Sequence, residues 1–257
     1  MENSRIIKEM VNSFISYFGW FGLILFNCIY SILRWRVNWE SFPYYMVHLG
    51  YNSVFIVVLT ITFTGMVISL ELSKEAVRFG VADMVGGGVA VAMAREFGPM
   101  LTAIVLVGRS GSSIAAEIAS MKITDQIDAL RSMGINIYDY LVSPRLIAML
   151  ISQPIITLFS IISGTFGGAV MANIYANISY SIYTKSIERF IEVSDITGGI
   201  IKSIVFAIVI VIVSMIEGFN CPRNSAGVGI AVTNAVMKSI ILIFILNFIL
   251  SYFLFAH

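Results

Sequence analysis

The stretch of this sequence that decides its fold covers residues 95–134 and reads REFGPMLTAIVLVGRSGSSIAAEIASMKITDQIDALRSMG. Its first half is mainly apolar, but Arg95, Glu96 and Arg109 place charges within it. Charged side chains are costly in a bilayer and usually face the interior of a helix bundle or a wet cavity. We therefore expect residues 84–116 to form one membrane segment that polar groups interrupt.

The same segment contains small residues at helical spacing, namely Gly108, Gly111, Ser112 and Ala115. Small side chains allow the backbones of two membrane helices to approach closely. We expect these four residues to serve mainly as a packing surface between helices.

Residues 121–133 form a short amphipathic pattern after this segment. Ile123, Ile127 and Leu130 lie three or four positions apart and share one face of a helix. The polar positions around them are Lys122, Thr124, Asp125, Gln126, Asp128 and Arg131. The pattern predicts a helix between two spans that either lies on the bilayer surface or docks into a groove of a soluble partner.

Composition extends the membrane interpretation to the whole chain of 257 residues. Apolar residues make up 58% of it and charged residues 12%, whereas soluble domains carry about 25% charged residues. A helix needs about 20 apolar residues to cross the hydrocarbon core. Six segments come close to this length or exceed it: 14–33, 52–70, 84–116, 146–175, 196–216 and 239–255. The sequence therefore predicts an all-α integral membrane protein.

The fourth of these segments is long enough to overshoot a bilayer as a straight helix. We expect it to tilt, kink or end in a loop near Pro154 or near the cluster of Gly164, Gly167 and Gly168.

The first segment is followed by Arg34, Trp35, Arg36 and Trp39. Tryptophan and basic residues of this kind gather at membrane interfaces. From these residues alone, the segment can either span the membrane or lie flat as an interfacial helix.

Basic residues near the ends of the spans favour a cytoplasmic position for residues 121–140. If the first segment does not cross, nine basic residues lie on that side and six on the opposite side, in agreement with the positive-inside rule. The nine are Arg5, Lys8, Arg34, Arg36, Lys122, Arg131, Arg145, Arg223 and Lys238, and the six are Lys74, Arg78, Arg95, Lys185, Arg189 and Lys202.

Residues 95–134 resemble the signature RExGPxLTAxxxxGRxGSxxAAExxxMxxTxQIDAxxxMG of the MlaE (YrbE) permeases, which belong to MCE-associated ABC transporters. Other similar positions are SPR at 143–145, IKS at 201–203 and SAGV at 225–228, so the resemblance extends from about residue 51 to the C-terminus. It implies one permease domain over residues 1–257, with an interfacial N-terminal helix within 1–45 and a bundle of five transmembrane helices in 46–257. Residues 121–133 correspond to a cytoplasmic coupling helix that contacts an ATPase.

The resemblance also implies a function. Such a permease forms a homodimer in the bacterial inner membrane. The homodimer binds two copies of an ATPase and a hexameric MCE-domain substrate-binding protein. The complex carries phospholipid between the inner and outer membranes and maintains the lipid asymmetry of the outer membrane. The chain would not be an enzyme and would bind no cofactor, because the partner subunit would use the ATP. In agreement, the sequence contains no GxxxxGK[ST] run.

Two interpretations of the charges in the spans stay open. Arg95, Glu96 and Lys202 can neutralise neighbouring groups at an interface, or they can ring an outer-side cavity in which a cationic group holds a phosphate headgroup. In the MlaE family an acidic residue of the last span completes this charged set. The matching position here is Asn247.

Other partners and sites find little support in the sequence. A net charge of +1 argues against binding of nucleic acid. The two cysteines, Cys28 and Cys221, make no spacing typical of a zinc site or of a disulfide framework, so no metal site is expected.

Two alternative functions remain. An ion-gradient-driven secondary transporter is one, although the sequence shows no sign of the inverted repeats common in such folds. The more remote one is an intramembrane serine protease, because GRSG at 108–111 fits the GxSG pattern of rhomboid proteases. That chemistry needs a base within hydrogen-bond reach of Ser110, and neither His48 nor His257 is expected there.

Overall fold

The computed structural model describes residues 2–255, with side chains described from Ser16 onward except that of Phe18. The side chains of Arg5 and Lys8, and the whole of His257, lie outside the described part. Within residues 2–255 the chain forms helices and no strand. The helices are α1 Glu2–Leu33, α2 Phe42–Arg78, α3 Ala82–Ile123, α4 Gln126–Ser132, α5 Tyr138–Ala176, α6 Tyr180–Phe190, α7 Val193–Phe219 and α8 Ser225–Phe255.

Five of these helices are long and apolar enough to cross a membrane: α2, α3, α5, α7 and α8. Helix α1 contributes a shorter apolar part, Gly19–Leu33. This confirms the predicted fold of an all-α membrane protein with five spans and one further N-terminal helix. The division of the chain into an N-terminal segment and a bundle at residue 45 stays a prediction.

The spans run alternately up and down, so the bundle has two ends. At one end, called here the α4 end, helix α4 connects α3 to α5, and a short turn connects α7 to α8. At the other, called the α6 end, helix α6 connects α5 to α7, and α8 finishes at Phe255. Side chains near the termini of the spans can therefore be assigned to one end or the other.

Glycines bring α2 and α5 into close contact. A Cβ atom at Gly65 would lie 2.0 Å from the carbonyl oxygen of Gly164, and one at Gly167 would lie 2.4 Å from the carbonyl oxygen of Thr62. Helix α5 continues through Pro154 and through its glycines without a break. Of the three alternatives expected for this segment, a loop is therefore wrong, and the glycines are contact points between two helices.

The spans extend beyond their apolar segments. Helix α2 ends at Arg78, eight residues beyond the predicted limit of Leu70. On this polar end, Lys74 forms an ion pair with Glu71 (2.8 Å) and Arg78 forms one with Glu75 (3.1 Å). Each pair joins residues three positions apart, a spacing that stabilises helices. The sequence pattern missed this extension because it followed hydrophobicity, which stops where a helix leaves the lipid.

Helix α6 is another element that the sequence pattern treated only as a polar stretch. It lies against the start of α3, where Ser186 Oγ accepts a hydrogen bond of 2.9 Å from the backbone N–H of Gly87. A Cβ at Gly86 would lie 2.3 Å from the carbonyl oxygen of Tyr183. The glycines of α3 thus allow α6 to pack directly against its backbone.

The predicted helix over residues 121–133 is broken, which corrects its boundaries. Helix α3 continues to Ile123, and Asp125 then adopts a left-handed backbone conformation with φ of 55° before α4 begins. Aspartate tolerates this conformation better than most residues. Of the polar residues predicted for this helix, Lys122 and Thr124 therefore lie before α4, and only Gln126, Asp128 and Arg131 are on it.

Candidate functional site

A cluster of charged and polar side chains occupies the interior near the α6 end. Three helices contribute to it: α3 through a π-helical turn at Met93–Phe97, α7 through its first third, and α8 through its last turns. Such single π turns are common at functional sites because they shift the register of the side chains that follow. The members of this α6-end cluster are Arg95, Glu96, Asp195, Lys202, Asn247 and Ser251.

Lys202 is the centre of the α6-end cluster and is completely buried. Its Nζ donates to the carbonyl oxygen of Arg95 (2.7 Å), to Glu96 Oε1 (2.8 Å) and to Ser251 Oγ (2.7 Å). An ammonium group has three N–H donors, and all three are used. Lys202 therefore holds α3, α7 and α8 together and has no donor left for a ligand.

The carboxylate of Glu96 joins the same three helices from the opposite side of the ion pair. It accepts hydrogen bonds from Lys202, from Ser251 Oγ (2.7 Å) and, at Oε2, from Asn247 Nδ2 (2.8 Å). Asn247 thus occupies the position where the resemblance implies an acid and donates a hydrogen bond to the carboxylate. A second carboxylate at this position would face Glu96 instead.

Arg95 forms an ion pair with an acid on α7. Its Nε donates to Asp195 Oδ1 at 2.6 Å, and its guanidinium lies 4.9 Å from the centre of the Phe255 ring. The side chain is 35% exposed, and its two terminal nitrogens donate to none of the described residues. Arg95 is therefore the cation of this cluster that has donors available for an anion.

The α6-end cluster is balanced in charge. It contains two cations, Arg95 and Lys202, and two carboxylates, Glu96 and Asp195. The sequence-based prediction brought together Arg95, Glu96, Lys202 and Asn247, and the structure places these four side by side. It missed Asp195 and Ser251, because an acid at the start of a helix is also a common capping residue, and Asp195 does cap the N-terminus of α7.

At the α4 end, helix α4 is connected by ion pairs to the turn between α7 and α8. Arg223, in that turn, donates to Asp128 Oδ2 at 2.6 Å and lies 3.8 Å from Asp125 Oδ1. Arg131 forms a further pair with Asp128 at 3.5 Å. From the end of α3, Lys122 donates to the carbonyl oxygen of Phe219 at 2.6 Å. Gln126 and Thr124 are exposed. Of the polar residues predicted for this region, Asp128 and Lys122 thus bond to the end of α7 or to the turn that follows it. Thr124 and Gln126 stay accessible.

Two further ion pairs near the α4 end were not predicted. The buried Arg145 donates to Glu117 Oε1 at 2.6 Å and lies over the ring of Tyr45. Lys238, in α8, donates to Glu217 Oε1 at 2.7 Å. Each pair joins two spans and neutralises a charge inside the bundle.

The small residues of α3 divide into two groups. Gly111 and Ala115 are buried against α7, where a Cβ at Gly111 would lie 3.2 Å from Ser214 Oγ. Gly108 faces open space, and Ser112 is half-exposed. Packing between helices of this chain therefore accounts for Gly111 and Ala115 but not for the other two.

The GRSG sequence lies in a second π turn of α3, Val107–Gly111. Ser110 is buried and donates to the carbonyl oxygen of Leu49 at 2.8 Å. As expected, the His48 ring is not bonded to Ser110; its Nε2 lies 3.2 Å from Ser113 Oγ instead. Ser110 therefore has no base in contact among the described residues, and the geometry does not favour a serine protease.

Comparison with known proteins gives consistent matches along most of the chain. The family described as "Permease MlaE" matches residues 42–253. A probable ABC transporter permease of Rickettsia typhi is 34% identical over 231 residues, which cover 90% of this chain and 89% of the relative. One of Synechocystis is 36% identical over 202 residues, covering 79% and 77%. The chloroplastic protein trigalactosyldiacylglycerol 1 of Arabidopsis thaliana is 34% identical over 219 residues, covering 84% of this chain and 63% of that protein.

Proposed function

The chain belongs to the MlaE permease family, and we propose that it is the membrane-spanning subunit of an ABC transporter that moves phospholipid between the inner and outer membranes of a bacterium. The observation that carries this proposal is the family match over residues 42–253, which includes all five spans up to the last turn of α8. In such a system the transport maintains the lipid asymmetry of the outer membrane, and the chain is a multi-pass protein of the inner membrane.

An ABC permease takes its energy from a separate ATPase subunit, and the α4 end offers a surface for one. Helix α4 presents exposed polar residues next to Arg223, which binds Asp128 from the turn between α7 and α8. If a partner displaces α4, the ion pair of Asp128 with Arg223 would therefore move the turn between the last two spans as well. This supports α4 as the coupling helix, with ATP bound and hydrolysed by the partner.

The α6-end cluster supports a path for an anionic headgroup. Arg95 is the member with free donors, and a guanidinium binds phosphate oxygens through paired hydrogen bonds. Lys202 positions Glu96 and fixes the three helices, so its contribution to a lipid path is indirect. One relative bears the name of a galactolipid, which supports lipid as the class of substrate.

The remaining partners complete the proposed complex. A second copy of the chain forms the other half of the permease, and an MCE-domain protein receives or delivers lipid at the α6 end. Family membership favours this assembly over a secondary transporter, because an ABC permease depends on nucleotide hydrolysis.

Purification of the tagged chain from its native membrane in mild detergent tests the proposal. Mass spectrometry of the proteins and lipids that accompany it is expected to find an ATPase with a phosphate-binding lysine motif, an MCE-domain protein and bound phospholipid. A matched purification of an unrelated multi-pass protein identifies the contaminants. A chain that is recovered without any nucleotide-binding partner would contradict the proposal and favour the secondary transporter.

A further inference from the structure

Arg109 differs from the other basic side chains that lie more than one turn inside a span. Each of the others has a carboxylate oxygen within 4 Å: Lys74, Arg95, Arg145, Lys202 and Lys238. No described carboxylate lies within 4 Å of Arg109. Charges in membrane segments are normally paired with one another or with backbone carbonyls, and among the described residues Arg109 has only neutral oxygen partners.

The guanidinium of Arg109 is only partly satisfied by the protein. Its Nη1 donates to Ser53 Oγ and, at 3.4 Å, to the carbonyl oxygen of His48. Nε and Nη2 donate to none of the described residues, and neither is enclosed in the interior. Two donors of the planar guanidinium are thus unused by the described residues and not fully enclosed, and such a planar fork suits the paired oxygens of a phosphate.

Hydroxyl groups, an imidazole ring and open space surround this fork. Ser112 and Ser113 follow within one turn of α3 and are half-buried, and His48 Nε2 lies 3.2 Å from Ser113 Oγ. Beside the arginine, a Cβ at Gly108 would meet no atom within 4 Å. The surface next to Arg109 is therefore open at Gly108, and no described carboxylate lies within 4 Å of the guanidinium.

The position of Arg109 along the bundle suits a lipid headgroup. His48 lies six residues after the start of α2, which is about 9 Å along a helix. The preceding residues Trp35 and Trp39 are exposed and of the type found at membrane interfaces. On the face of α2 that carries His48, Tyr44 stacks on the imidazole ring and Phe55, two turns further on, is 78% exposed. A cation at the depth of the headgroups therefore adjoins an apolar surface on which acyl chains can lie.

From these observations we propose that Arg109, with Ser113 and His48, binds the phosphate of an anionic phospholipid from the leaflet at the α4 end. The site lies at the end opposite to the α6-end cluster, so it is a second lipid contact and goes beyond the proposed function. It rests on that function only in the identification of lipid as the source of the phosphate.

Native mass spectrometry of the full chain with its co-purifying partners tests the site. The delipidated complex is titrated with phosphatidylglycerol, and wild type is compared with Arg109→Gln, Arg109→Lys and Gly108→Leu. We expect Arg109→Gln to weaken one binding event about tenfold, as loss of a charge-assisted pair should. Arg109→Lys keeps the charge but loses the fork and is expected to have a smaller effect. Gly108→Leu fills the open space and weakens the same event while Arg109 stays in place. Arg34→Gln, an exposed arginine at the same end, is the matched control and is expected to bind as wild type does.

Competition identifies the source of the phosphate. Diacylglycerol, which lacks phosphate, is expected not to displace phosphatidylglycerol, and inorganic phosphate is expected to do so only weakly. Binding of inorganic phosphate that depends on Arg109, without any effect on lipid, would overturn the proposal. So would unchanged lipid binding in Arg109→Gln with a changed oligomeric state, since a carboxylate of a second copy would then be the counter-charge. If Arg109→Gln binds phosphatidylglycerol as wild type does, only this site is refuted, whereas a wild-type complex that binds no phosphatidylglycerol in the titration refutes the proposed function as well.

Discussion

The fully buried charged side chains among the described residues are neutralised by pairing, and Lys202 has the largest set of partners. Its three donors join α3, α7 and α8, so its removal would affect both the packing of the helices and the position of Glu96. Arg95, one residue before Glu96, keeps two nitrogens free. The hydrogen-bonding groups of Glu96 are therefore used within the bundle, whereas Arg95 has donors available for a ligand.

A first prediction concerns the Glu96–Lys202 pair. Glu96→Gln leaves the completely buried ammonium of Lys202 without its carboxylate. Because the Glu96 side chain is 35% exposed, we expect a loss of stability below the roughly 3–5 kcal/mol typical of a fully buried pair. The double variant Glu96→Gln with Lys202→Met removes both charges and is expected to recover part of that loss. Glu75→Gln breaks an exposed pair and is the matched control, with little expected effect. Thermal unfolding in detergent measures the stability of all three variants. Equal losses of stability in the single and double variants would contradict the pairing argument.

A second prediction at this scale concerns Cys28, which lies buried on α1 outside the five spans. Burial raises the pKa of its thiol to about 12. The thiolate is the reactive form, so below that pH almost all of the thiol stays protonated and unreactive. In a Cys221→Ala background, maleimide labelling of the folded protein at pH 7–8 is expected to be very slow and to become rapid after unfolding. Ser132→Cys, at an exposed position, supplies the control for labelling, and rapid labelling of Cys28 in the folded state would show that α1 is not held against the bundle.

At the scale of elements, glycine decides which helices touch. The contact of α2 with α5 places Gly65 directly against the backbone of Gly164, and the contact of α3 with α6 does the same at Gly86. In lipid the hydrophobic effect does not drive helices together, so close packing of this kind carries much of the stability.

The third prediction follows from that contact. Gly65→Ala introduces a Cβ that would lie 2.0 Å from the carbonyl oxygen of Gly164, and the two helices must separate to admit it. We expect a loss of about 1–3 kcal/mol or more in the free energy of unfolding, as for other overpacked interiors. Gly229→Ala, at a helical position with no atom within 4 Å of the new Cβ, is expected to have no such cost. Equal melting temperatures for the two variants would show that α2 and α5 are not held at this distance.

The elements also show what the sequence could and could not predict. Hydrophobicity located all five spans and the charges at Arg95, Glu96 and Lys202, because long apolar runs and rare charges are visible in one dimension. It did not give the ends of the helices, since α2 continues as a polar helix to Arg78. It also missed Asp195 and Arg223, whose roles depend on partners 100 and 95 residues away in the sequence. Such distant pairs follow from helix packing, which no local pattern encodes.

On the scale of the whole molecule, the two ends of the bundle carry different kinds of polar group. The α6 end contains the balanced cluster around Lys202, and the α4 end contains helix α4 with its link to Arg223. The spans α3, α7 and α8 contribute to both. A movement at α4 can therefore be transmitted to the α6-end cluster along rigid helices, provided that the ion pair of Arg223 with Asp128 connects α4 to the rest of the bundle.

The fourth prediction tests this connection in the complex with its ATPase, reconstituted in vesicles. Asp128→Lys is expected to lower lipid transport about tenfold while ATP hydrolysis continues, because coupling free energies of this kind typically change a linked equilibrium 5–150-fold. The charge exchange Asp128→Arg with Arg223→Asp keeps an ion pair between α4 and the turn from α7 to α8. Recovery of transport in the exchange variant would show that the pair itself transmits the movement. If transport stays low, Asp128 acts through a direct contact with the ATPase instead. Unchanged transport in Asp128→Lys would show that α4 does not couple ATP hydrolysis to transport.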